Sequence, residues 1–305
     1  MAADIRLATR ESRLAMWQAN DVRERLLRAW PDITVEIIPM TTQGDRDKVT
    51  PLANMGGKGV FVKELEVAMM EGRADIAVHS MKDVPGELPA GFHIAAICER
   101  EDPRDAMVAT AFESLAAMPA GSRIGSSSLR RRLQLKDAYP DLEFIELRGN
   151  VPTRLQRLDD GDFDGIILAA AGLKRLGLEV RITERIDVET SIPAAGQGAV
   201  GVECRQDDER VNELVRAIGD PVATTCVGLE REITLALGAT CNLPIGAHVV
   251  PDENELVLSA FVSNLTGETQ LRRRQNCPPA DGRKAAAALG QSLLDAGARE
   301  LLAGT

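Results

Sequence analysis

The run Ile76-Ala-Val78 is short, apolar and followed at once by His79-Ser-Met-Lys-Asp-Val-Pro85, where two opposite charges precede a proline. A run of that length reads as a buried strand, and Pro85 biases Val84 away from helix. Lys82 and Asp83 therefore stand just past a strand's carboxyl end. In open α/β sheets this is the edge where ligands bind, because the strand ends and the loops after them line the crevice. Asp83 is the candidate catalytic carboxylate, against the simpler reading that it opens a turn beside a solvated lysine.

Other residues repeat that placement with the chemistry of anion binding. Arg10 and Ser12 follow the apolar stretch Ile5-Arg-Leu-Ala-Thr9, at a second strand-to-helix turn. Gly125-Ser-Ser-Ser-Leu-Arg-Arg-Arg132 sets small hydroxyls, Ser126 and Ser128 among them, before Arg130 and Arg131 at the start of a helix expected to run through Tyr139. Free backbone N–H groups at a helix start form an anion site when arginines stand beside them. Arginine there opposes the helix dipole, a local conflict of the kind that marks function. The plainer alternative is a solvated basic first turn. Arg148, past a strand predicted over Leu142 to Leu147, and Arg154, at the start of the next helix, extend the set. Cys241, in Gly238-Ala-Thr-Cys-Asn-Leu-Pro-Ile-Gly246, lies on a glycine- and proline-punctuated loop where a thiol can carry a covalent group.

At 305 residues the chain exceeds a single core, so two or three domains are expected to position these groups. A net charge of −10 argues against nucleic acid as the main partner, since phosphate binding needs a basic field across a face. No apolar stretch approaches the roughly 20 residues of a membrane span, and the opening residues do not read as a signal peptide, so the expected location is cytoplasmic. The five cysteines are scattered without Cys-x-x-Cys spacing, which suits reduced thiols and argues against a structural zinc site.

Thr34 to Pro39 reads as a second strand. The segment Thr42 to Gly59 has no periodic apolar face and is expected to be a functional loop, a lid whose Lys58 approaches anionic groups. Its Gly56-Gly-Lys-Gly59 lacks the spacing and the hydroxyl residue of a nucleotide phosphate loop. Glu101-Asp-Pro-Arg104 marks a hinge into a second α/β unit. There Gly161-Asp-Phe-Asp-Gly-Ile-Ile-Leu-Ala-Ala-Ala-Gly-Leu-Lys174 echoes the layout of Gly72 to Lys82. Ala199 to Cys204 is a strand expected to return to the first domain, which makes a hinged pair with ligand between them. After Asp220-Pro221 the pattern becomes a helix over Val227 to Leu237, strands over Ala247 to Val250, Glu255 to Ser263 and Glu268 to Arg274, and a closing helix within Gly282 to Ala303. The expected domains are 1–98 plus 199–216, 104–192, and a small α+β domain over 221–305.

Seven motifs in order resemble the porphobilinogen deaminase (hydroxymethylbilane synthase) family. They are Leu7-Ala-Thr-Arg-Glu-Ser-Arg-Leu-Ala, Gly56-Gly-Lys-Gly-Val-Phe-Val-Lys-Glu-Leu-Glu66, His79-Ser-Met-Lys-Asp-Val-Pro85, Gly125-Ser-Ser-Ser-Leu-Arg-Arg131, Arg148-Gly-Asn-Val-Pro-Thr-Arg154, Ala194-Ala-Gly-Gln-Gly198 and Cys241-x-x-Pro-Ile-Gly246. The resemblance implies two hinged domains like type II periplasmic binding proteins, with a third small domain. It implies that four porphobilinogen molecules are joined head to tail with loss of ammonia, and that 1-hydroxymethylbilane is freed by hydrolysis. It also implies a monomer and a dipyrromethane cofactor held by a thioether to Cys241. On this resemblance Lys82, Ser126, Ser128, Arg130 and Arg131 bind the cofactor, and Arg10, Ser12, Lys58, Arg148, Arg154, Arg175 and Gln197 bind substrate. Asp83 then stabilises the cation formed as ammonia leaves. The residue types suit this chemistry, because each pyrrole carries two carboxylates that arginine forks match. The chain departs from the family pattern at Ala239-Thr240, where a glycine pair is usual, and at Asn54, where bacterial members carry lysine. A non-enzymatic binder of carboxylate ligands is the competing class, and it has no need of a loop cysteine.

Overall fold

A computed structural model of the chain describes residues 4–42, 44, 62–238 and 243–303. In chain order the first elements are β1 (Ile5–Arg10), α1 (Arg13–Ala29), β2 (Val35–Met40), α2 (Lys63–Met70), β3 (Ile76–Ser80) and β4 (Phe92–Ile97). Next come β5 (Asp105–Ala109), β6 (Arg123–Ser126), α3 (Leu129–Ala138), β7 (Glu143–Glu146), α4 (Val151–Asp159), β8 (Gly165–Ala169), α5 (Ala170–Arg175) and β9 (Glu184–Arg185). The chain ends with β10 (Val200–Arg205), α6 (Glu209–Arg216), α7 (Pro221–Ala236), β11 (Ile245–Asp252), β12 (Glu255–Ser263), β13 (Gln270–Cys277), α8 (Gly282–Asp295) and α9 (Ala298–Ala303).

These elements form two compact units: Met1–Glu101 with Ala199–Thr225, and Asp102–Gly198 with Cys226–Thr305. In the first, the sheet order is β2-β1-β3-β10-β4, with β1, β2 and β3 parallel and β10 antiparallel to both its neighbours. Alternation along β1 explains its two faces: Ile5 and Leu7 meet Ala19, Val22 and Leu26 of α1, while Ala8 meets Leu65, Ala68 and Met69 of α2. Each fully buried aliphatic side chain of this kind contributes about 1.5–3 kcal/mol. α1 starts where Ser12 accepts a hydrogen bond from the Ala15 amide, and it stops before Pro31.

The second unit repeats the plan. Its five-stranded order is β7-β6-β8-β5-β9, with β6 parallel to β7 and β8, and β5 antiparallel to β8 and β9. β5 thus takes the place that β10 holds in the first sheet. β8 takes the place of β3, so the echo between the Gly161 and Gly72 segments belongs to equivalent strands. The mixed α/β class expected from the sequence is the one observed: two five-stranded sheets with helices, and a smaller α+β part that clusters with the second of them. The smaller part is the antiparallel meander β11-β12-β13, whose buried face (Ala247, Val249, Leu258, Ala260) packs with Ile233 of α7 and Leu289 and Leu293 of α8.

Some boundaries differ from the sequence reading. α7 begins at Pro221, six residues before the expected start, because proline is tolerated at a helix's first position. The closing segment is two helices, since Gly297 takes a left-handed φ of +96° between them. The last strand of the meander runs over 270–277 rather than 268–274. No helix among the described residues is long and apolar enough to cross a membrane.

Gly246 of β11 shows why the Pro-Ile-Gly motif needs its glycine. A Cβ there would stand 2.7 Å from the Ile192 carbonyl oxygen and 3.1 Å from that of Pro193, and backbone cannot swing aside as a side chain can. Gly246→Ala is expected to cost about 1–3 kcal/mol by overpacking, read as a lowered urea midpoint with an unchanged m-value.

Candidate functional site

In the first unit β3 ends at Ser80, and Met81–Asp83 form a single 3₁₀ turn. Val84 is extended (φ −78°, ψ 126°) ahead of Pro85, as the proline requires. The turn is pinned from below. The Met81 amide donates to the Ala199 carbonyl at 3.0 Å, and the Met81 side chain is buried against Gly201, where an added Cβ would fall 2.1 Å from its sulfur. Lys82 and Asp83 on the same turn are left half-buried. Arg10 closes β1, the parallel neighbour of β3, and Ser12 caps α1 directly after it. Gln18 of α1 exchanges hydrogen bonds with Ser80, 2.9 Å as donor and 3.2 Å as acceptor. Arg10, Ser12, Lys82 and Asp83 therefore share the carboxyl edge of adjacent parallel strands.

The second unit gathers its residues on the corresponding edge. Ser126 ends β6, and Ser128 caps α3 by accepting from the Arg131 amide. Arg148 follows β7, and Arg154 lies in the first turn of α4 with its Nε donating to the Gly149 carbonyl at 2.6 Å. Arg175 ends α5 and donates to the Gly198 carbonyl at 2.7 Å.

Arg130 and Arg131 do not form a solvated first turn: they are 4% and 5% exposed. Both converge on Asp105, the first residue of β5, which sequence reasoning did not single out and which is fully buried. Arg130 donates to the two Asp105 oxygens at 2.9 and 3.1 Å and to the Ile192 carbonyl at 2.6 Å. Arg131 donates from Nε to Asp105 at 2.7 Å and from a terminal nitrogen to Gln197 Oε1 at 3.0 Å. Ser191 and the Gln197 amide complete the ring, donating to Asp105 at 2.7 and 2.8 Å. Burial alone would raise the Asp105 carboxyl, yet the two guanidinium groups hold it well below the usual carboxylate range. Burial lowers Arg131 from its ordinary value, and Arg130 adds to that although Asp105 opposes it. Two guanidinium groups against one carboxylate leave an excess of positive charge in a dry place. In charge the pair suits a further anionic group of the carboxylate type, while its described hydrogen bonds end on protein acceptors, Arg131 Nη1 on the Ile167 carbonyl at 3.3 Å among them.

Cys241 and Lys58 lie outside the described residues, as does most of the segment expected to be a lid. The other four cysteines, 98, 204, 226 and 277, are all buried. Burial, with Asp208 and Glu203 nearby, pushes the Cys204 thiol up to about 12, and burial also raises Cys277, so neither is poised as a nucleophilic thiolate.

A family model described as "Porphobilinogen deaminase, dipyromethane cofactor binding domain" matches residues 5–213. A second, "Porphobilinogen deaminase, C-terminal domain", matches residues 224–296. Among solved structures, the chain is similar to an ABC transporter periplasmic substrate-binding protein from Coxiella burnetii, at 16% identity and a TM-score of 0.43 over 72% of this chain and 94% of that one. It is also similar to immunogenic lipoprotein A from Vibrio vulnificus, at 16% identity and a TM-score of 0.44 over 72% and 97%.

Proposed function

Since the chain belongs to the porphobilinogen deaminase family, an enzyme family of tetrapyrrole synthesis with a dipyrromethane cofactor, we propose that it joins four porphobilinogen molecules head to tail and releases 1-hydroxymethylbilane by hydrolysis. The two family matches, together spanning nearly all the chain, carry this reading. Cys241 holds the cofactor through a thioether. The burial of the other four cysteines supports that choice. When bound, the cofactor supplies the free pyrrole position from which the product grows.

The chain's own residues then divide the work. Arg130 and Arg131, with Ser126, Ser128 and Lys82, hold the cofactor's carboxylates, and Asp105 and Gln197 fix the arginines' orientation. Arg10, Ser12, Arg148, Arg154 and Arg175 bind the carboxylates of substrate and growing chain, with Lys58 and Gln197 beside them. Forked guanidinium groups suit that task because each acetate or propionate accepts two parallel hydrogen bonds. Asp83 faces the step at which ammonia leaves. Its carboxylate stabilises the positive charge developing on the substrate's methylene carbon and accepts hydrogen bonds from pyrrole N–H groups. The enzyme works in the cytoplasm as a single chain on a small-molecule substrate, and the net charge of −10 supports a small molecule over nucleic acid.

Intact-mass measurement on freshly purified protein is the direct test. The mass should exceed that of the sequence by one dipyrromethane, and Cys241→Ser should remove the excess together with turnover. A bare chain mass in active protein, or an adduct mapped to Cys98 or Cys204, would overturn the cysteine assignment. A bare mass with carboxylate binding and no turnover would favour the non-enzymatic binder.

A further inference from the structure

The face of the first sheet that α2 covers is lined largely by alanine, leucine and methionine, yet it also holds three ionisable side chains. Glu66 of α2, His79 of β3 and Glu203 of β10 are 7%, 5% and 0% exposed. In the antiparallel register Gly201 lies opposite His79 and Glu203 opposite Ala77, which makes His79 and Glu203 diagonal neighbours on one face. His79 Nε2 and Glu203 Oε2 are hydrogen-bonded at 2.8 Å. The other carboxylate oxygen, Glu203 Oε1, is buried and has no hydrogen-bond partner among the described residues. Leaving a buried acceptor unmet is costly, and the acid form of Glu66 is a hydrogen donor on the covering helix. Burial pushes the Glu66 carboxyl up to about 7, Glu203 adding to the shift and His79 opposing it.

The same face carries other charges. Arg6 and Arg10 stand on β1, Glu36 on β2, Arg205 on β10, Asp75 just ahead of β3, and Lys63 and Glu64 on α2 itself, while β4 presents Phe92 and Ile94. Arg6 and Arg205 are drawn to Asp75 at 2.7 and 3.8 Å, and Glu203 and His79 are the side chains whose fields act on Glu66.

β3 and β10 also carry the turn bearing Asp83. Val200 pairs with Ser80, the Met81 amide donates to the Ala199 carbonyl, and Met81 rests on Gly201, directly opposite His79. We propose that Glu66, His79 and Glu203 form a buried proton-sharing set that clamps the β3 and β10 strand ends, making them positioning residues for Asp83. The inference rests on the reading of Asp83 as the catalytic carboxylate. With Glu66 protonated, the set is a hydrogen-bonded His79–Glu203 pair plus a neutral donor. When Glu66 ionises, its new charge is buried beside the His79–Glu203 pair, and the cost of holding it there loosens α2 from the strands beneath the turn.

The test compares the wild-type holoenzyme with Glu66→Gln, which keeps the shape and a hydrogen donor but cannot ionise. A carboxyl raised in the folded state stabilises fully below its ordinary value of 4.5, and that contribution is lost as pH rises to about 7. The wild-type Tm should therefore fall relative to that of Glu66→Gln between those pH values and run parallel above them. An infrared carbonyl band of a buried carboxylic acid should be present in the wild type on the acid side of neutrality, vanish on the alkaline side, and be missing from the variant. The wild-type kcat should drop about threefold or more through neutrality while the variant's does not. Parallel Tm curves throughout, an acid band that survives in Glu66→Gln, or superimposable kcat profiles would overturn the proposal. Should Asp83→Asn turn over normally, the functional reading fails instead, and the proton-sharing set is judged on its melting and infrared curves.

Discussion

Asp105→Ala is expected to cost about 3–5 kcal/mol of stability, the loss that follows when one member of a buried charge network is removed and its partners stay behind. Alanine at 105 would leave two guanidinium groups 4% and 5% exposed with no carboxylate between them. Ser191 and Gln197 would lose their acceptor as well. Asp105→Asn keeps a carbonyl oxygen and the side-chain shape, so it should cost less than alanine while still weakening cofactor loading. Urea unfolding gives the stability change, and intact mass gives the loading. The variant Asp105→Ala/Arg130→Leu/Arg131→Leu should recover part of the stability, because the stranded charges go with the carboxylate, and yet it should remain unloaded. A stability within about 1 kcal/mol of wild type for Asp105→Ala would mean that water or another acceptor reaches the arginines. The pH dependence has a defined sign. Asp105 is depressed in the folded protein, so its contribution is complete above the ordinary carboxylate value of about 3.9 and fades only as pH falls below it.

That network also shows where a linear reading stops. Turn chemistry is local, so the ends of β1, β3, β6 and β7 could be placed from apolar runs followed by proline, glycine or small hydroxyls. Among the described residues, Arg10, Ser12, Lys82 and Asp83 in the first unit and Ser126, Ser128 and Arg148 in the second lie at or just past the carboxyl ends of their strands. The three arginines at the start of α3 were recognisable as a conflict with the helix dipole. What resolves the conflict for Arg130 and Arg131 lies 25 and 26 residues upstream, in an acid that looks unremarkable at the head of the apolar run Ala106 to Ala109. Only the insertion of β5 between β8 and β9 brings it beneath the helix. Glu203 and His79 were hidden for the same reason, being 124 residues apart until β10 returns to the first sheet. The strand itself was readable from Ala199 to Cys204, but its register was not, and register decides which side chains share a face. The repeat between Gly72 and Gly161 was faint because the two segments share a place in the sheet more than a chemistry. β3 is followed by a 3₁₀ turn with an acid, β8 by a helix ending in Lys174-Arg175.

The second large effect is expected at the first of those turns. Asp83→Asn should lower kcat and kcat/KM together by about 10²–10³-fold, as removal of a group that stabilises transition-state charge does. Substrate binding through the arginines should be little changed, since the substitution leaves every carboxylate-binding side chain in place. Asparagine keeps the size and a hydrogen-bonding carbonyl at this half-buried position, and Met81 also holds the turn through its amide bond to Ala199, so the fold should persist. Asp83→Glu restores the charge on a longer arm, so it should keep a fraction of the rate, because the carboxylate is displaced by about one methylene from where the cation develops. The two variants separate charge from shape. If the reaction needed Asp83 only as a hydrogen-bond acceptor for pyrrole N–H groups, asparagine would serve better than glutamate, and the order of the two rates would reverse. A single-turnover experiment with pre-loaded enzyme, following ammonia release, measures this order without interference from loading. Near-normal ammonia release in the asparagine variant would transfer the role to another acid and leave Lys82 and Asp83 as an ordinary turn at a strand end.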